Sequence, residues 1–215
     1  MESDIGDQPL FGEYARHLES VDREFRRVYN KFADRMQCHR GCSMCCSQMF
    51  SISGIEAAYI SRAVKASPEP ERRRLRQAAA DYIARAKKLT GADSNDDETF
   101  TPRPGLRLQC PALNGDACSI YHARPIICRK WGIPIFNPKK PMELQACELN
   151  FRPGEEVDID GLLEPQVDLL ESWVELKERT SEGHPSAVAR TTIAEAILND
   201  WEEILLTGRE PDKAT

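Results

Sequence analysis

The stretch that decides this fold is Cys38-His-Arg-Gly-Cys42-Ser-Met-Cys45-Cys46, which places four thiols within nine residues. The N-terminus has neither the basic start nor the apolar run of a secretory signal, so we expect a reducing cytoplasm. Clustered thiols in that compartment are more typical of metal ligands than of disulfides. All eight cysteines are therefore candidate metal ligands, the remaining four being Cys110, Cys118, Cys128 and Cys147.

The spacing within the first group indicates which metal it binds. Cys42 and Cys45 are separated by two residues, the spacing at which two thiolates converge on one zinc or iron, and Cys38 adds a third thiol. Adjacent cysteines point apart in extended chain, so we expect Cys45 and Cys46 to serve different metal ions or different irons of one cluster. Eight thiols also exceed the four ligands of a tetrahedral zinc. The sequence thus favours an iron–sulfur cluster such as [4Fe–4S], with zinc as the alternative.

Three other interpretations of these cysteines are weaker. The expected compartment disfavours disulfides. Thiol–disulfide exchange at Cys42 and Cys45 would need a strand-then-helix context that is missing. Cys38, Cys42 and Cys45 also have the spacing found in radical S-adenosylmethionine enzymes, but Met44 stands where those enzymes carry an aromatic residue. No alternation of strands and helices follows, as that barrel would require.

Cationic side chains accompany the second group of cysteines. Arg124 and Arg129 lie close to Cys128 in the sequence, where they would lower thiol pKa values and offset thiolate charge. We therefore predict that both arginines contact the bound cofactor. His39 and His122 flank cysteines without ligand spacing and are expected beside the ligands or at the surface.

Hydrophobic periodicity predicts a mainly α fold, with C-terminal helices and an irregular, proline-rich core that the metal staples. Seven prolines between residues 100 and 141 forbid long helices there, and we expect one short extended piece over residues 133–136. Residues 92–98 are predicted to form an acidic loop, and residues 152–161 are predicted to form a polar linker. We predict a metal-binding domain with an N-terminal helix over residues 1–150 and a C-terminal helical segment packed on it over residues 151–215. The predicted helices run over residues 10–36, 53–64, 67–90, 165–179 and 186–206. The first runs straight into Cys38, a capping box of Ser53 and Glu56 opens the second, and Pro68 opens the third.

The ordered motifs resemble a known family. The first group, then Cys110-Pro-Ala-Leu, then Cys118-Ser-Ile-Tyr-x2-Arg124-Pro-x2-Cys128-Arg129, is similar to the YkgJ-type cysteine-cluster proteins, which are described as zinc- or iron-chelating domains. The resemblance covers roughly residues 38–130. It implies metal binding by the first seven cysteines, whereas Cys147 is added because it lies near them and the other seven make an odd number. A similar pattern in flagellin lysine methylases leaves a methyl-transfer or redox role open.

Three functions are consistent with these features. The favoured one is a cytoplasmic metal-binding protein that handles metal or electrons. The second is a metal- or cluster-dependent enzyme, such as a protein-modifying methylase or an oxidoreductase, although no general base or phosphate loop is recognisable. The third is a zinc-stapled helical protein that binds a partner. A net charge of −6 argues against a nucleic-acid binder. No stretch of the sequence is apolar enough to enter a membrane. A protein partner or substrate is possible, but the sequence does not identify it.

Overall fold

The computed structural model describes residues 9–90, 107–135, 145–152, 155, 157 and 161–209. This part of the chain is mainly helical with a few short strands, which confirms the predicted fold class. None of its helices is both long enough and apolar enough to cross a bilayer. In chain order the helices are α1 (Pro9–Lys31), α2 (Gly54–Ala66), α3 (Glu69–Thr90), α4 (Ile126–Lys130), α5 (Leu163–Gly183), α6 (Ile193–Leu198) and α7 (Trp201–Thr207). The strands are β1 (Ser51–Ser53), β2 (Leu113–Asn114), β3 (Ala117–Cys118) and β4 (Arg190–Thr192).

The chain divides into two compact units. The first unit combines Met1–Cys38 with Arg129–Thr180, and the second combines His39–Cys128 with Ser181–Thr215. The boundary predicted between residues 150 and 151 falls within the first unit. The predicted C-terminal helical segment over residues 151–215, packed on the metal-binding domain, stays a prediction.

The first unit is built on α1 and α5. Tyr14 of α1 is fully buried, and its ring lies 5.7 Å from the ring of Trp173 on α5. His17 stacks on the same indole at 5.4 Å, and its Nδ1 is hydrogen-bonded to the hydroxyl of Ser172 at 3.0 Å. Burial, and then the charge of Lys130, lower the pKa of His17 to about 4. The imidazole is therefore neutral at pH 7 and packs as part of the core.

Helix α1 ends at Lys31, so the prediction that it runs into Cys38 is wrong. The N–H of Phe32 is shared between two carbonyls of the last helical turn, and a turn follows as far as Arg35. Phe32 is nevertheless buried, edge-to-face with Phe151 at 5.3 Å. The apolar spacing continues past the helix because these turns still face the core.

Helix α2 forms the centre of the second unit and contacts α3, α6 and α7. The predicted capping box is present, with the N–H of Ser53 donating to Oε2 of Glu56 at 2.8 Å. Gly54 permits a very close approach, since a Cβ at this position would lie 1.9 Å from the carbonyl oxygen of Ser186. Strand β1 pairs with β4 in antiparallel register, with Ser51 opposite Thr192.

The single helix predicted over residues 186–206 is wrong. This segment forms a 3-10 turn, strand β4, and the two short helices α6 and α7. Thr192 ends β4 and caps α6 by accepting a hydrogen bond from the N–H of Glu195. Asp200 caps α7 by accepting from the N–H of Glu203. Two N-caps thus interrupt an apolar periodicity that looks continuous in the sequence.

The remaining predictions for local structure hold in part. The helices predicted over residues 53–64, 67–90 and 165–179 are confirmed with small shifts at their ends, and Gly208 ends α7 with a φ of 70°. The extended piece predicted over residues 133–136 is represented by a bridge between Ile135 and Gln145. The hairpin of β2 and β3 and the short helix α4 were not predicted. The acidic loop at residues 92–98 and most of the linker at residues 152–161 lie outside the described residues.

The close approach at Gly54 gives a test of the second unit. Gly54→Ala forces its new methyl group against the Ser186 carbonyl, and we expect the free energy of unfolding to fall by about 1–3 kcal/mol. Gly12→Ala in α1 is the control, because its methyl group would meet only the tip of Arg16 at 3.6 Å and should stabilise the helix by about 0.5–1 kcal/mol. Urea unfolding measures both, and equal effects would contradict the packing described here.

Candidate metal centre

Backbone hydrogen bonds join two cysteine-bearing segments within the second unit. Cys45 and Cys46 lie in the 3-10 turn Met44–Ser47. The N–H of Cys110 donates to the carbonyl of Cys46 at 2.6 Å, and the N–H of Leu108 donates to the carbonyl of Ser47 at 3.0 Å. These two bonds bring the first group of cysteines next to the second.

The second segment then folds as tight turns around its sulfur atoms. The backbone N–H groups of Ala112 and Leu113 bond to the thiol of Cys110 and act to lower its pKa, and the N–H of Ile120 acts in the same way on Cys118. The hairpin of β2 and β3 places Leu113 opposite Cys118. A backbone N–H directed at sulfur stabilises the thiolate over the thiol. The turns therefore suit a thiolate ligand.

Glu56 connects the core of this unit to the third cysteine of the segment. Its Oε2 accepts from the N–H and the hydroxyl of Ser53 at 2.8 and 2.7 Å, while its Oε1 accepts from the N–H of Ile126 at 3.0 Å. Ile126 is the first residue of α4, and Cys128 follows two residues later. The buried carboxylate thus fixes the start of the helix that carries Cys128.

Burial and mutual repulsion favour the neutral form of these thiols. Burial raises the pKa of Cys128 well above its ordinary value, and the charges of Cys110, Cys45 and Cys118 would raise it further. Burial also raises the pKa of Cys110 to about 12. The thiol of Cys45 is raised first by its hydrogen bond with Cys46 and then by burial. Several thiolates can therefore coexist here only with a compensating cation, which is the condition that a bound metal meets.

Cys45 and Cys46 do not point apart as expected. The prediction assumed extended chain, but the 3-10 turn curls the backbone and leaves the two thiols hydrogen-bonded to each other. The prediction that they serve different metal ions or different irons of one cluster was based on extended backbone, which is not present at these residues. Two sulfurs this close can bind the same metal or the same cluster.

Arg124 is a cation that acts on this group of thiols. Its charge lowers the pKa values of Cys45, Cys118 and Cys128, against the larger effect of burial at Cys118 and Cys128. The guanidinium lies 3.8 Å from the centre of the Tyr121 ring, and its Nε donates to the Tyr121 carbonyl at 3.1 Å. Stacking and this hydrogen bond hold the positive charge in place.

Arg129 occupies a different environment. It is buried in the first unit, with 7% of its surface exposed. Its Nη1 forms an ion pair with Asp22 at 2.6 Å. Part of its charge is therefore offset by a carboxylate, and a role in holding the cofactor stays a prediction.

The thiols are neighbours without forming a finished coordination sphere. All eight cysteines are described, and none of them forms a disulfide. Among the described residues, no three or more Cys, His, Asp or Glu side chains are arranged to hold a metal ion. The donor chemistry of the thiols fits zinc or iron. Five of them form a coupled group: the charges of Cys45, Cys110 and Cys118 act on neighbouring thiols, Cys128 is acted on by all three, and Cys46 is hydrogen-bonded to Cys45.

The other predicted residues are distributed as follows. Cys42 lies in the second unit after a turn at Gly41, whose φ is 97°. Cys38 and Cys147 belong to the first unit. The side chains of His39 and His122 are exposed. This agrees with the second of the two predicted positions, beside the ligands or at the surface.

Two residues of the second unit, Glu56 and Tyr82, have contacts near the thiols that the sequence does not indicate. The capping box identified Glu56, but its second oxygen reaches Ile126, far along the chain, and no local pattern indicates this. Tyr82 is buried on α3, where burial raises its pKa and the charges of Cys110 and Glu195 add to the effect. Its spacing on the helix indicates only a core residue.

The helical scaffold, the gathered thiols and their N–H···S bonds together define a cysteine-cluster protein with the chemistry of a metal site. The model of the CxxCxxCC family, described as "Putative zinc- or iron-chelating domain", matches residues 37–147. The match covers just over half of the chain and includes every cysteine, so the chain belongs to this family, which confirms the resemblance. Membership supports metal binding, with zinc or iron as the metal. No curated protein and no solved structure has significant similarity to the chain.

The link through Glu56 gives a prediction for metal binding. Glu56→Gln has one acceptor oxygen instead of two, so one buried N–H loses its partner, at a cost of about 1–3 kcal/mol. Glu195→Gln is the matched control, because Glu195 plays the same capping role at Thr192. We expect both to lower the free energy of unfolding, but only Glu56→Gln to weaken metal binding in a chelator competition. Equal weakening by Glu195→Gln would show that Glu56 has no particular link to Cys128.

The position of Arg124 gives a second prediction. Arg124→Gln removes the cation, so the pKa values of Cys45, Cys118 and Cys128 should rise, and the thiolate fraction falls about tenfold for each pKa unit. Alkylation of these three cysteines in the reduced, metal-free protein at pH 8 should slow, as measured by peptide mass spectrometry. The control is Arg76→Gln, which removes an exposed cation from α3. Unchanged alkylation in Arg124→Gln would exclude the electrostatic role.

Proposed function

We propose that this protein holds an iron–sulfur cluster in a reducing cytoplasm and serves in electron transfer or metal handling. The single observation that carries the proposal is the group of five thiols in the second unit, three of which receive N–H···S bonds. Iron–sulfur clusters take cysteine ligands from scattered turns, and hydrogen bonds to their sulfurs tune the reduction potential. Cys110 and Cys118 lie in separate turns, and the sulfur of each accepts a hydrogen bond from a backbone N–H.

The residues around the thiols contribute charge and position. The cluster itself would supply one-electron chemistry when bound. Arg124 offsets negative charge at the sulfurs, and the N–H groups after Cys110 and Cys118 stabilise those sulfurs as thiolates. Glu56 holds α4 so that Cys128 stays beside them.

Zinc is the second candidate, and one specific feature favours it. The turn after Cys110, in which two successive N–H groups bond to one sulfur, resembles the knuckles of structural zinc sites. In that case the metal would staple a proline-rich segment that has little core of its own. The protein would then act through a partner that its helices bind.

The compartment and the partners are part of the proposal. Eight cysteines that form no disulfide are compatible with a reducing compartment. A protein that exchanges electrons or metal with the site is the expected partner, and neither nucleic acid nor a membrane is expected.

Anaerobic purification followed by iron, zinc and sulfide analysis tests the proposal. We expect iron and acid-labile sulfide in stoichiometric amounts, with broad visible absorption. Cys45→Ser and Cys128→Ser should each lose most of the metal, because each removes a sulfur from the coupled group. Met44→Leu is the control, because Met44 directly precedes Cys45 and the substitution conserves volume.

Two results would contradict different parts of this proposal. A colourless protein with stoichiometric zinc and no sulfide would exclude the cluster and leave the zinc site. Full metal content in both serine variants would exclude the coupled thiols as ligands.

A further inference from the structure

One buried amide in the first unit contacts the sulfur of a predicted ligand. Asn150 is 5% exposed. Its Nδ2 donates to Sγ of Cys38 at 3.4 Å and to the carbonyl of Gly132 at 2.8 Å. Its Oδ1 accepts from the N–H of Gln37, the residue before Cys38, at 2.8 Å. Both donor hydrogens and one acceptor position of this amide are therefore used to hold Cys38 and its surroundings.

Gly132 provides the space in which this sulfur lies. A Cβ at this position would be 2.7 Å from Sγ of Cys38, which is far inside van der Waals contact. Its φ of 123° also lies in the region that L-residues avoid. The backbone at Gly132 therefore leaves room for the sulfur and, through its carbonyl, holds the amide that contacts it.

The backbone of Asn150 is anchored as firmly as its side chain. Its N–H and the N–H of Phe151 both donate to the carbonyl of Cys147 at 2.9 Å. Its carbonyl accepts from Nε of Arg35 at 3.2 Å, and the Arg35 guanidinium lies 4.5 Å from the Phe151 ring centre. The amide is thus pre-positioned, and it ties the turn at Cys147 to Cys38.

We propose that Asn150 is a positioning residue that presents the sulfur of Cys38 for metal binding. The N–H···S bond fixes the place of the Cys38 sulfur, and the bond to Gln37 fixes the backbone that carries it. Partners of this kind orient the first ligands of protein metal sites. Asn150 lies outside residues 37–147 and is therefore not part of the matched family domain. The inference rests on the proposed function, because it requires Cys38 to be a ligand.

Titration of the reduced, metal-free full-length chain with Co²⁺ alone tests the inference. Thiolate–cobalt charge-transfer absorption reports coordinated sulfur, and chelator competition gives the affinity. Asn150→Asp directs a carboxylate oxygen at Cys38 in place of a donor. We expect about 10–100-fold weaker binding, the range found for such supporting residues, and weaker charge-transfer absorption.

Asn199→Asp is the matched control. The amide of Asn199 also donates to a backbone carbonyl, that of Glu195 at 3.2 Å, but no contact with sulfur accompanies it. Its cobalt affinity should stay within about twofold of the wild type. If circular dichroism shows that Asn150→Asp does not fold, Asn150→Ser is used in its place, because it removes the same donor with a smaller, uncharged side chain.

A double-mutant cycle with Cys38→Ser separates positioning from a general structural role. Once the sulfur is gone, Asn150→Asp should change the affinity by less than about twofold further. An equal loss in the Cys38→Ser background, or no loss in the single variant, would overturn the inference while leaving the proposed function intact. A wild-type protein that binds no cobalt and carries no metal when purified would overturn both.

Discussion

Burial of neighbouring thiols is the constraint on which the site in the second unit depends. Burial raises the pKa values of Cys110, Cys118 and Cys128, and each neighbouring sulfur that ionises raises them further. These three thiols are therefore neutral at pH 7 in the metal-free protein. A metal reverses this balance, since its positive charge stabilises several thiolates at once, and its binding releases protons. Metal binding and proton release are thus coupled by the fold itself.

The scaffold holds the backbone around these thiols through contacts within the second unit. Gly54 lets α2 approach the Ser186 carbonyl, and Glu56 of the same helix accepts a hydrogen bond from the first residue of α4. The bond between the N–H of Cys110 and the carbonyl of Cys46 joins the two cysteine segments. The backbone on both sides of the coupled thiols is therefore held by hydrogen bonds and close packing.

Local signals in the sequence predicted the helices and the chemical nature of the site, and tertiary contacts determined the rest. The capping box at Ser53 and the proline before α3 were reliable because they act within one helical turn. The helix predicted over residues 186–206 failed because pairing with β1 and the cap at Thr192 outweigh its apolar periodicity. The hydrogen bonds between the two cysteine segments, and the contact of Asn150 with Cys38, join residues distant in the chain. No pattern within a short window indicates such contacts.

The number of coupled thiols bears on the choice between iron and zinc. One tetrahedral zinc uses four thiolates and leaves at least one of the five coupled sulfurs protonated and buried, with a raised pKa and little reactivity. A polynuclear cluster distributes its charge over several irons and sulfides and can accept thiolates from separate turns. The hydrogen-bonded pair Cys45 and Cys46 is compatible with one metal ion or with one cluster. The number of coupled thiols, one more than a single zinc uses, is therefore what makes the cluster the stronger hypothesis.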